Sequence, residues 1–341
     1  MQRLPRRLFL ASLFLAACST QSRSSSRQQF VLGTVSYGSG EKTIAQYERL
    51  TRYLEEKLQA VVQLEPAYNE RKALERLKSQ AWSIVFAPPG LAVIALTKYR
   101  YIAVAPLAGV SNLRSVLVVP KNSPYQTLGS LAGKNLAIGQ PGSAVGYYLP
   151  IFNLYGLTLT SLVIARTPKA ILEVIAQGKA DVGALSLEEF NTYKNQVAQA
   201  EFRILFTDTH TVPPGLVLIS PNIDRIMQES IQKTLNDMPS VMAQETGLVP
   251  NGKIPDYTYM ISVVERIRAI FPADTQEGSA LLTQKPVHLF RVGQTPSKTL
   301  ATPAATPSFT SDPSTSLPDP RAPTGSPESE TSTPTSSTTS N

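Results

Sequence analysis

The side chains that most often carry nucleophilic or metal chemistry are rare in this sequence. Its 341 residues include one cysteine, Cys18, and two histidines, His210 and His288. The histidines lie far apart and form no metal-ligand pattern. Neither a Gly-x-Ser-x-Gly motif nor a complete Gly-x-x-x-x-Gly-Lys-[Ser/Thr] motif is present. We therefore expect a protein that is not an enzyme and that uses no metal and no cofactor.

Cys18 ends a segment that is typical of export signals. Three arginines among the first seven residues precede an apolar run over residues 8–17. That run is shorter than the roughly 20 residues of a membrane-spanning helix, whereas a secretory signal has this arrangement. The run ends Leu15-Ala16-Ala17-Cys18, which resembles a bacterial lipobox. We expect cleavage of residues 1–17 and attachment of a diacylglycerol to the Cys18 thiol, with Sec and twin-arginine export both open. The alternative is a buried thiol or an uncleaved signal.

Both ends of the chain have compositions that do not favour packed structure. Residues 18–29 are polar and rich in serine, which predicts a flexible tether. Residues 294–341 are mostly serine, threonine and proline, so we expect a disordered tail that buries too little apolar surface to fold. The formal net charge of +7 is modest and forms no basic stripe, which argues against a nucleic-acid partner.

Between these ends the apolar residues predict alternating strands and helices. Helical periodicity is clear over residues 44–58, and Thr167-Pro168 has the N-cap and N1 residues of a helix start. This alternation predicts an α/β fold with mostly parallel sheets flanked by helices. Strands are predicted at 30–35, 61–64, 84–87, 116–119, 136–139, 162–165, 180–184 and 216–220.

The order of these elements predicts two lobes that are joined by two hinge strands. We expect lobe I over residues 30–118, lobe II over 119–216, and a return to lobe I with C-terminal helices over 217–293. The strands 116–119 and 216–220 bracket the second series, and each is followed by proline and polar residues. A cleft between hinged lobes is a natural ligand site, because closure buries the ligand on both sides.

The order and spacing of several short motifs resemble a known family. These motifs are Gly33-Thr34-Val35, Pro88-Pro89-Gly90, Arg114 to Val119, Ser130 to Lys134, Pro141 to Tyr147 and Gly178 to Asp181. Together they resemble the periplasmic phosphate, phosphite and phosphonate-binding proteins over roughly residues 30–239. The resemblance implies the two-lobed fold of type II solute-binding proteins.

The turn at Pro141 to Tyr147 is the main candidate for ligand contact. It lies between a strand and a predicted helix, so backbone N–H groups of a helix N-terminus would face the cleft and bind an oxyanion. The alternative is a tight turn that binds nothing. With the other positions that the resemblance and the turns select, the candidate ligand contacts are Tyr37, Pro89, Arg114, Ser115, Ser143, Ala144, Val145, Gly146, Tyr147 and Ser186.

Some candidates have a structural alternative. Tyr37 could be an exposed turn residue, and Arg114 could form a surface ion pair. His210 precedes the second hinge strand, where a loop residue is the alternative to a cleft contact. Trp82 is expected to belong to the core.

The cleft residues also depart from the family's pattern. Only Ser143 supplies a side-chain hydroxyl in a turn where the family has several, and Leu113 stands where the family tends to have tyrosine. An aromatic residue that is common in the family is missing from Ala87-Pro88-Pro89. Such changes remove hydrogen bonds that discriminate between ligands. The expected ligand therefore ranges from a phosphonate-like oxyanion to a less polar or differently charged molecule.

The resemblance implies capture of a solute outside the cytoplasm. We expect a periplasmic or cell-surface lipoprotein that closes over a small molecule and delivers it to the permease of an ABC importer. Its partners would be the ligand, the permease and, through the lipid on Cys18, a membrane. The alternative is a binding protein of the same fold that acts as a sensor or scaffold with a changed or lost ligand site.

Overall fold

The computed structural model describes residues 27–35, 40–110, 112–198, 200–272 and 285–290. The predictions for Cys18, for Tyr37, for the signal peptide, for most of the tether and for the tail lie outside these residues. Among the described residues, no helix combines the length and the apolar character that crossing a membrane requires.

The first part of the chain alternates strands with helices. Its elements are β1 (Gln29–Val35), α1 (Gly40–Leu58), β2 (Val61–Ala67), α2 (Glu70–Lys78), β3 (Ile84–Ala87), α3 (Pro89–Thr97) and β4 (Ile102–Pro106). Helix α1 forms as the periodicity predicts, because Tyr47, Leu50 and Leu54 share one buried face.

The middle of the chain continues the alternation with shorter elements. They are β5 (Ser115–Pro120), β6 (Asn135–Ile138), α4 (Leu149–Asn153), β7 (Thr158–Leu159), β8 (Ser161–Ile164), α5 (Pro168–Ala176), β9 (Val182–Ser186), α6 (Leu187–Tyr193) and β10 (Phe202–Thr207). A π-helical turn over Ala144–Tyr148 leads directly into α4. Helix α5 begins as predicted, since the Thr167 hydroxyl accepts a hydrogen bond from Ala170 N at 3.2 Å and Pro168 takes the first helical position.

The described residues of the last part contain two strands and three helices. Its elements are β11 (Leu216–Ile219), α7 (Arg225–Asn236), α8 (Ser240–Thr246), α9 (Thr258–Ile270) and β12 (Val287–His288).

The long strands form two five-stranded sheets. The first has the order β2-β1-β3-β11-β4 and the second the order β10-β5-β9-β6-β8. The predicted α/β fold with two flanked sheets is confirmed. Three neighbouring strands in each sheet are parallel as expected (β2-β1-β3 and β9-β6-β8), whereas β11 and β4, like β5 and β10, pair antiparallel. We call the part around the first sheet lobe I and the part around the second sheet lobe II.

The chain crosses between the lobes over residues 107–114 and 208–215, which corrects the expected hinges. The predicted hinge strands lie wholly within one sheet each, β5 in the second and β11 in the first. The expected boundary after residue 118 therefore falls inside β5. The two crossing segments run side by side, and Val212 N donates to Leu113 O at 2.8 Å.

Residues 217–293 were expected to return to lobe I. The chain after β11 does not stay on that lobe. Helices α7 and α8 do pack against α1 of lobe I. Helix α9, however, contacts α3 of lobe I and also α4 of lobe II. Strand β12 pairs antiparallel with β7 of lobe II, and Leu289 N donates to Leu157 O at 3.0 Å. The C-terminal end of the described chain therefore packs on lobe II.

The apolar core continues from one lobe into the other. Helix α3 is apolar on all sides, and Leu91, Ala92 and Val93 are fully buried. It contacts the π-helical turn of lobe II, where Tyr147 is also fully buried. Trp82, which precedes β3, lies in this core as predicted.

Candidate ligand-binding cleft

A cavity of about 260 Å³ lies between the two lobes. It opens where strands end and helices begin, after β3 in lobe I and after β6, β8 and β9 in lobe II. In α/β proteins, ligands bind in crevices at the carboxyl ends of strands. The first crossing segment adds Val110 and Leu113 to the wall, so both lobes and a hinge contribute to the site.

The turn after β6 supplies backbone N–H groups that can bind an anion. Ser143 caps the π-helical turn, and its hydroxyl accepts a hydrogen bond from Gly146 N at 3.1 Å. The amides of Ala144 and Val145 lie in the first turn, where no intrahelical carbonyl is available to them. These residues line the cavity. Their arrangement suits a small oxyanion that accepts backbone N–H bonds.

Two further hydroxyls in the wall also cap helices. Thr167 caps α5, and Ser186 accepts a hydrogen bond from Glu189 N at 3.0 Å at the start of α6. The Glu189 carboxylate completes this capping box by accepting from Ser186 N at 2.7 Å. Each hydroxyl oxygen already accepts a hydrogen bond from a backbone N–H group of its own helix. The hydroxyl can therefore interact with a ligand by donating its proton.

Charged side chains in the wall are mostly acidic. Arg166, at the turn between β8 and α5, is the cation among the described lining residues, and its side chain is exposed. The acids are Glu188, which is exposed, Glu189, and Glu70, which is only 4% exposed. Burial raises the pKa of Glu189, while its hydrogen bonds from Ser186 act in the opposite direction.

The lobes touch directly beside the cavity. A side chain on Gly90, at the start of α3, would clash with the carbonyl oxygen of Gly142 and would lie 2.8 Å from Ala144 N. Gly142 has φ +114°, a conformation that favours glycine. The close approach of these backbones brings the two lobes into direct contact beside the cavity.

Comparison with known proteins identifies the family. A family model described as "ABC transporter, phosphonate, periplasmic substrate-binding protein" matches residues 32–252, which is more than half of the chain. The chain belongs to this phosphonate-binding protein family. Its members are periplasmic solute-binding proteins that work with an ABC transporter permease, and they are not enzymes. No curated protein matches the chain.

Solved structures share the fold of this phosphonate-binding family member at low sequence identity. XAC2383 from Xanthomonas citri, solved bound to ATP, has a TM-score of 0.58 and 17% identity, and the match covers 71% of this chain and 98% of that chain. PhnD1 from Prochlorococcus marinus, solved with methylphosphonate, has a TM-score of 0.56 and 15% identity, with 71% and 99% covered. A phosphonate transporter binding protein from Pseudomonas aeruginosa has a TM-score of 0.55 and 12% identity, with 75% and 93% covered.

Most of the candidate residues predicted from the sequence of this family member meet at the cavity. They come from the starts of three helical segments, in both lobes. Those that line it are Pro89, Ser143, Ala144, Val145, Gly146 and Ser186. Tyr37 lies outside the described residues. The structure thus brings together the turns on which the binding proposal depends.

Three predicted residues have other positions in the structure. Arg114 Nη1 donates to Asp208 O at 3.1 Å and to Thr209 O at 2.9 Å, so its guanidinium holds the two crossing segments together. Ser115 Oγ donates to Val145 O at 2.6 Å in the core. Tyr147 is enclosed by the core, and its burial raises the pKa of the phenol well above its usual value. None of the three lines the cavity.

His210 is a loop residue on the second crossing segment. Its ring stacks on Tyr259 of α9 with 3.9 Å between ring centroids, and its Nδ1 lies 3.2 Å from Asp208 Oδ1. Asp208 is 1% exposed and also accepts from Asn153 Nδ2 at 2.8 Å. These contacts belong to the hinge, and His210 does not line the cavity.

Sequence analysis missed Glu70 and Arg166 as lining residues. Arg166 lies in the turn between β8 and α5, next to the N-cap Thr167, just as the Ser143 turn lies between β6 and its helical segment. The reasoning applied to the Ser143 turn therefore would have found it. Glu70 follows the α2 cap Asn69, and no signal in the local sequence points across to lobe II.

The described residues indicate neither a metal site nor a phosphate-binding loop. No group of three or more metal-ligating side chains occurs among the described residues. Residues 247–253 have the Gly-x-x-x-x-Gly-Lys spacing, but they follow helix α8 instead of a strand, and Ile254 stands where a phosphate-binding loop has Ser or Thr.

Proposed function

We propose that this periplasmic binding protein captures a small oxyanionic ligand in its interlobe cavity and presents it to an ABC importer. The observation that supports the proposal is the cavity itself, which is lined by strand-to-helix turns from both lobes. We further propose that a lipid on Cys18 holds the protein at a membrane.

Several interactions, each weak on its own, together bind the oxyanion. The oxyanion accepts bonds from the amides of Ala144 and Val145 and from the Ser143 hydroxyl, while Arg166 adds the positive charge. A helix dipole contributes about 0.3–1 kcal/mol to such binding, and up to ~2 kcal/mol in a partly buried site. A similar structure with bound methylphosphonate supports this class of ligand.

Thermal denaturation against a ligand panel tests the proposal. The panel contains phosphate, phosphite, methylphosphonate, aminoethylphosphonate, sulfate, alkylsulfonates, amino acids and ATP, the last because a similar structure holds it. A ligand at 100 times its Kd adds about 2.7 kcal/mol to the free energy of unfolding. We expect a shift of several degrees in Tm with at least one phosphorus or sulfur oxyanion.

Two outcomes would contradict parts of the proposal. A response to amino acids alone would keep the importer role and replace the ligand. If protein freed of retained ligand responds to nothing, the sensor or scaffold role is favoured, in keeping with the acidic wall of the cavity. The lipid is tested separately: Cys18→Ser should move the protein from the membrane fraction to the soluble fraction.

A further inference from the structure

On the basis of the proposed function, we infer that the ligand is an organic oxyanion with one charged end and an apolar body of several carbon atoms. The proposal specifies the substrate class of the same cavity. It follows from the size of the cavity, from the chemistry of its wall and from the charges around it.

The cavity is too large for an inorganic oxyanion alone. Its volume of about 260 Å³ is roughly nine times the share of liquid volume that one water occupies. The single tetrahedron of a phosphate or sulfate fills only a small part of this space. The remainder must be filled by water or by further atoms of the ligand.

The wall outside the anion-binding turn favours apolar atoms over water. Water is stably held in a cavity when it finds two to four polar partners. Carbon-rich side chains from both lobes and from the first crossing segment offer none, and these are Pro88, Pro89, Val110, Leu113, Ile171 and Leu185. A hydrocarbon group here removes apolar surface from water on both the ligand and the protein.

Val110 shows where such a group would lie. It belongs to the cavity wall and is 47% exposed, so part of its apolar surface faces solvent. Leu113, on the same crossing segment, is also partly exposed. A ligand with an apolar body would cover both side chains.

The charges limit the ligand to one anionic end. Hydrogen-bond donors for an oxyanion lie at Ser143, Arg166, Thr167 and Ser186. Carboxylates line the wall on two sides, with Glu188 and Glu189 on α6 and the buried Glu70 at the start of α2, against Gly142. A second anionic group near these carboxylates would be repelled. The structure therefore favours a single oxyanion head on a body without negative charge.

A chain-length series tests the proposal directly. The exported chain carrying Cys18→Ser is titrated by calorimetry with methyl-, ethyl-, propyl-, butyl- and hexylphosphonate. Burial of each methylene should lower Kd about fourfold, until the cavity is full. Dissociation constants that are independent of chain length, or that rise with it, would overturn the inference.

Two variants connect this trend to the cavity wall. Val110→Ser should reduce the gain per methylene, because it replaces an apolar contact by a hydroxyl. The control is Val61→Ser, which alters a valine that is 42% exposed and does not line the cavity, and it should leave the trend unchanged. An equal effect of both variants, or no effect of Val110→Ser, would contradict the proposed contact.

The same titrations separate this inference from the proposed function. If methylphosphonate binds and longer chains bind no better, oxyanion capture stands and the apolar body is wrong. If no phosphonate of any length binds, and the wider panel gives no oxyanion response, both proposals fail.

Discussion

Ser143 combines two tasks within one hydroxyl group. It accepts the hydrogen bond from Gly146 N that closes the first turn of the helical segment, and it lines the cavity. The hydroxyl can donate its proton to a ligand while its oxygen continues to cap the helix. A substitution at this position therefore affects both stability and binding.

We predict that Ser143→Ala lowers the free energy of unfolding by about 0.5–2 kcal/mol, which is the usual cost of losing an N-cap. It should also raise Kd for the ligand found by the panel, because a donor to the oxyanion is lost. Asp224→Ala is the matched control, since Asp224 caps α7 by accepting from Met227 N at 3.0 Å, away from the cavity. Calorimetry and denaturant unfolding measure the two effects. A comparable loss of affinity in the control would show that the raised Kd of Ser143→Ala results from lower stability alone.

Residue roles were predictable where the partner is close in the sequence. Thr167 was predicted to cap α5, and its partner is only three residues away. Arg114 was expected near the ligand, but it bonds to carbonyls 94 and 95 residues further along the chain. Such partners are set by the tertiary fold, and no local pattern indicates them.

Helix α3 is the element that brings lobe I against the binding turn. Its apolar surface is buried on all sides, so it packs against both its own sheet and lobe II. Its first turn contains Gly90, which lies against the backbone of Gly142. The atoms nearest to a side chain at this position would be Gly142 O and Ala144 N. Both are backbone atoms, so neither can move aside at small cost.

We predict that Gly90→Ala prevents full closure and raises Kd at least tenfold. Alanine favours a helix over glycine by about 1 kcal/mol, so lobe I itself should not be weakened. The new methyl group would instead clash with Gly142 O across the lobes. Gly129→Ala is the control, because the nearest atom to its Cβ would be Thr127 Oγ1 at 3.8 Å. Unchanged affinity in Gly90→Ala, measured by calorimetry, would show that this contact does not define the bound state.

Most strands could be predicted from the sequence, but the sheet to which a strand belongs could not. Both β5 and β11 are continuous apolar runs that end at proline or polar residues, and both were predicted as strands. A strand buried on both faces carries no alternation that indicates its neighbours. The assignment of both as hinges therefore failed, because the sheet order depends on pairings between distant parts of the chain.

At the scale of the whole molecule, the lobes are linked at several places. Two crossing segments join them, helix α9 contacts both, and β12 adds the C-terminal segment to lobe II. Movement of the lobes apart at the contact between Gly90 and Gly142 would widen the entrance to the cavity. Binding then favours the closed arrangement by the difference in affinity between the two states.

We predict that the ligand reduces the radius of gyration measured by X-ray scattering. This result is expected if the free protein samples open arrangements and the ligand selects the closed one. Gly90→Ala should show a smaller change at saturating ligand, whereas Gly129→Ala should behave as the unmodified protein. Superimposable profiles with and without ligand would rule out closure as the mechanism.

The position of β11 has a consequence for the assembly of the newly made chain. This strand lies between β3 and β4 in the first sheet, although it follows β4 by more than a hundred residues in sequence. The first sheet therefore stays incomplete until residue 219 has been synthesised. The five strands of the second sheet come from one continuous stretch, residues 115–207, and domains generally fold as units. Lobe II should mature first and then serve as the platform on which lobe I is completed.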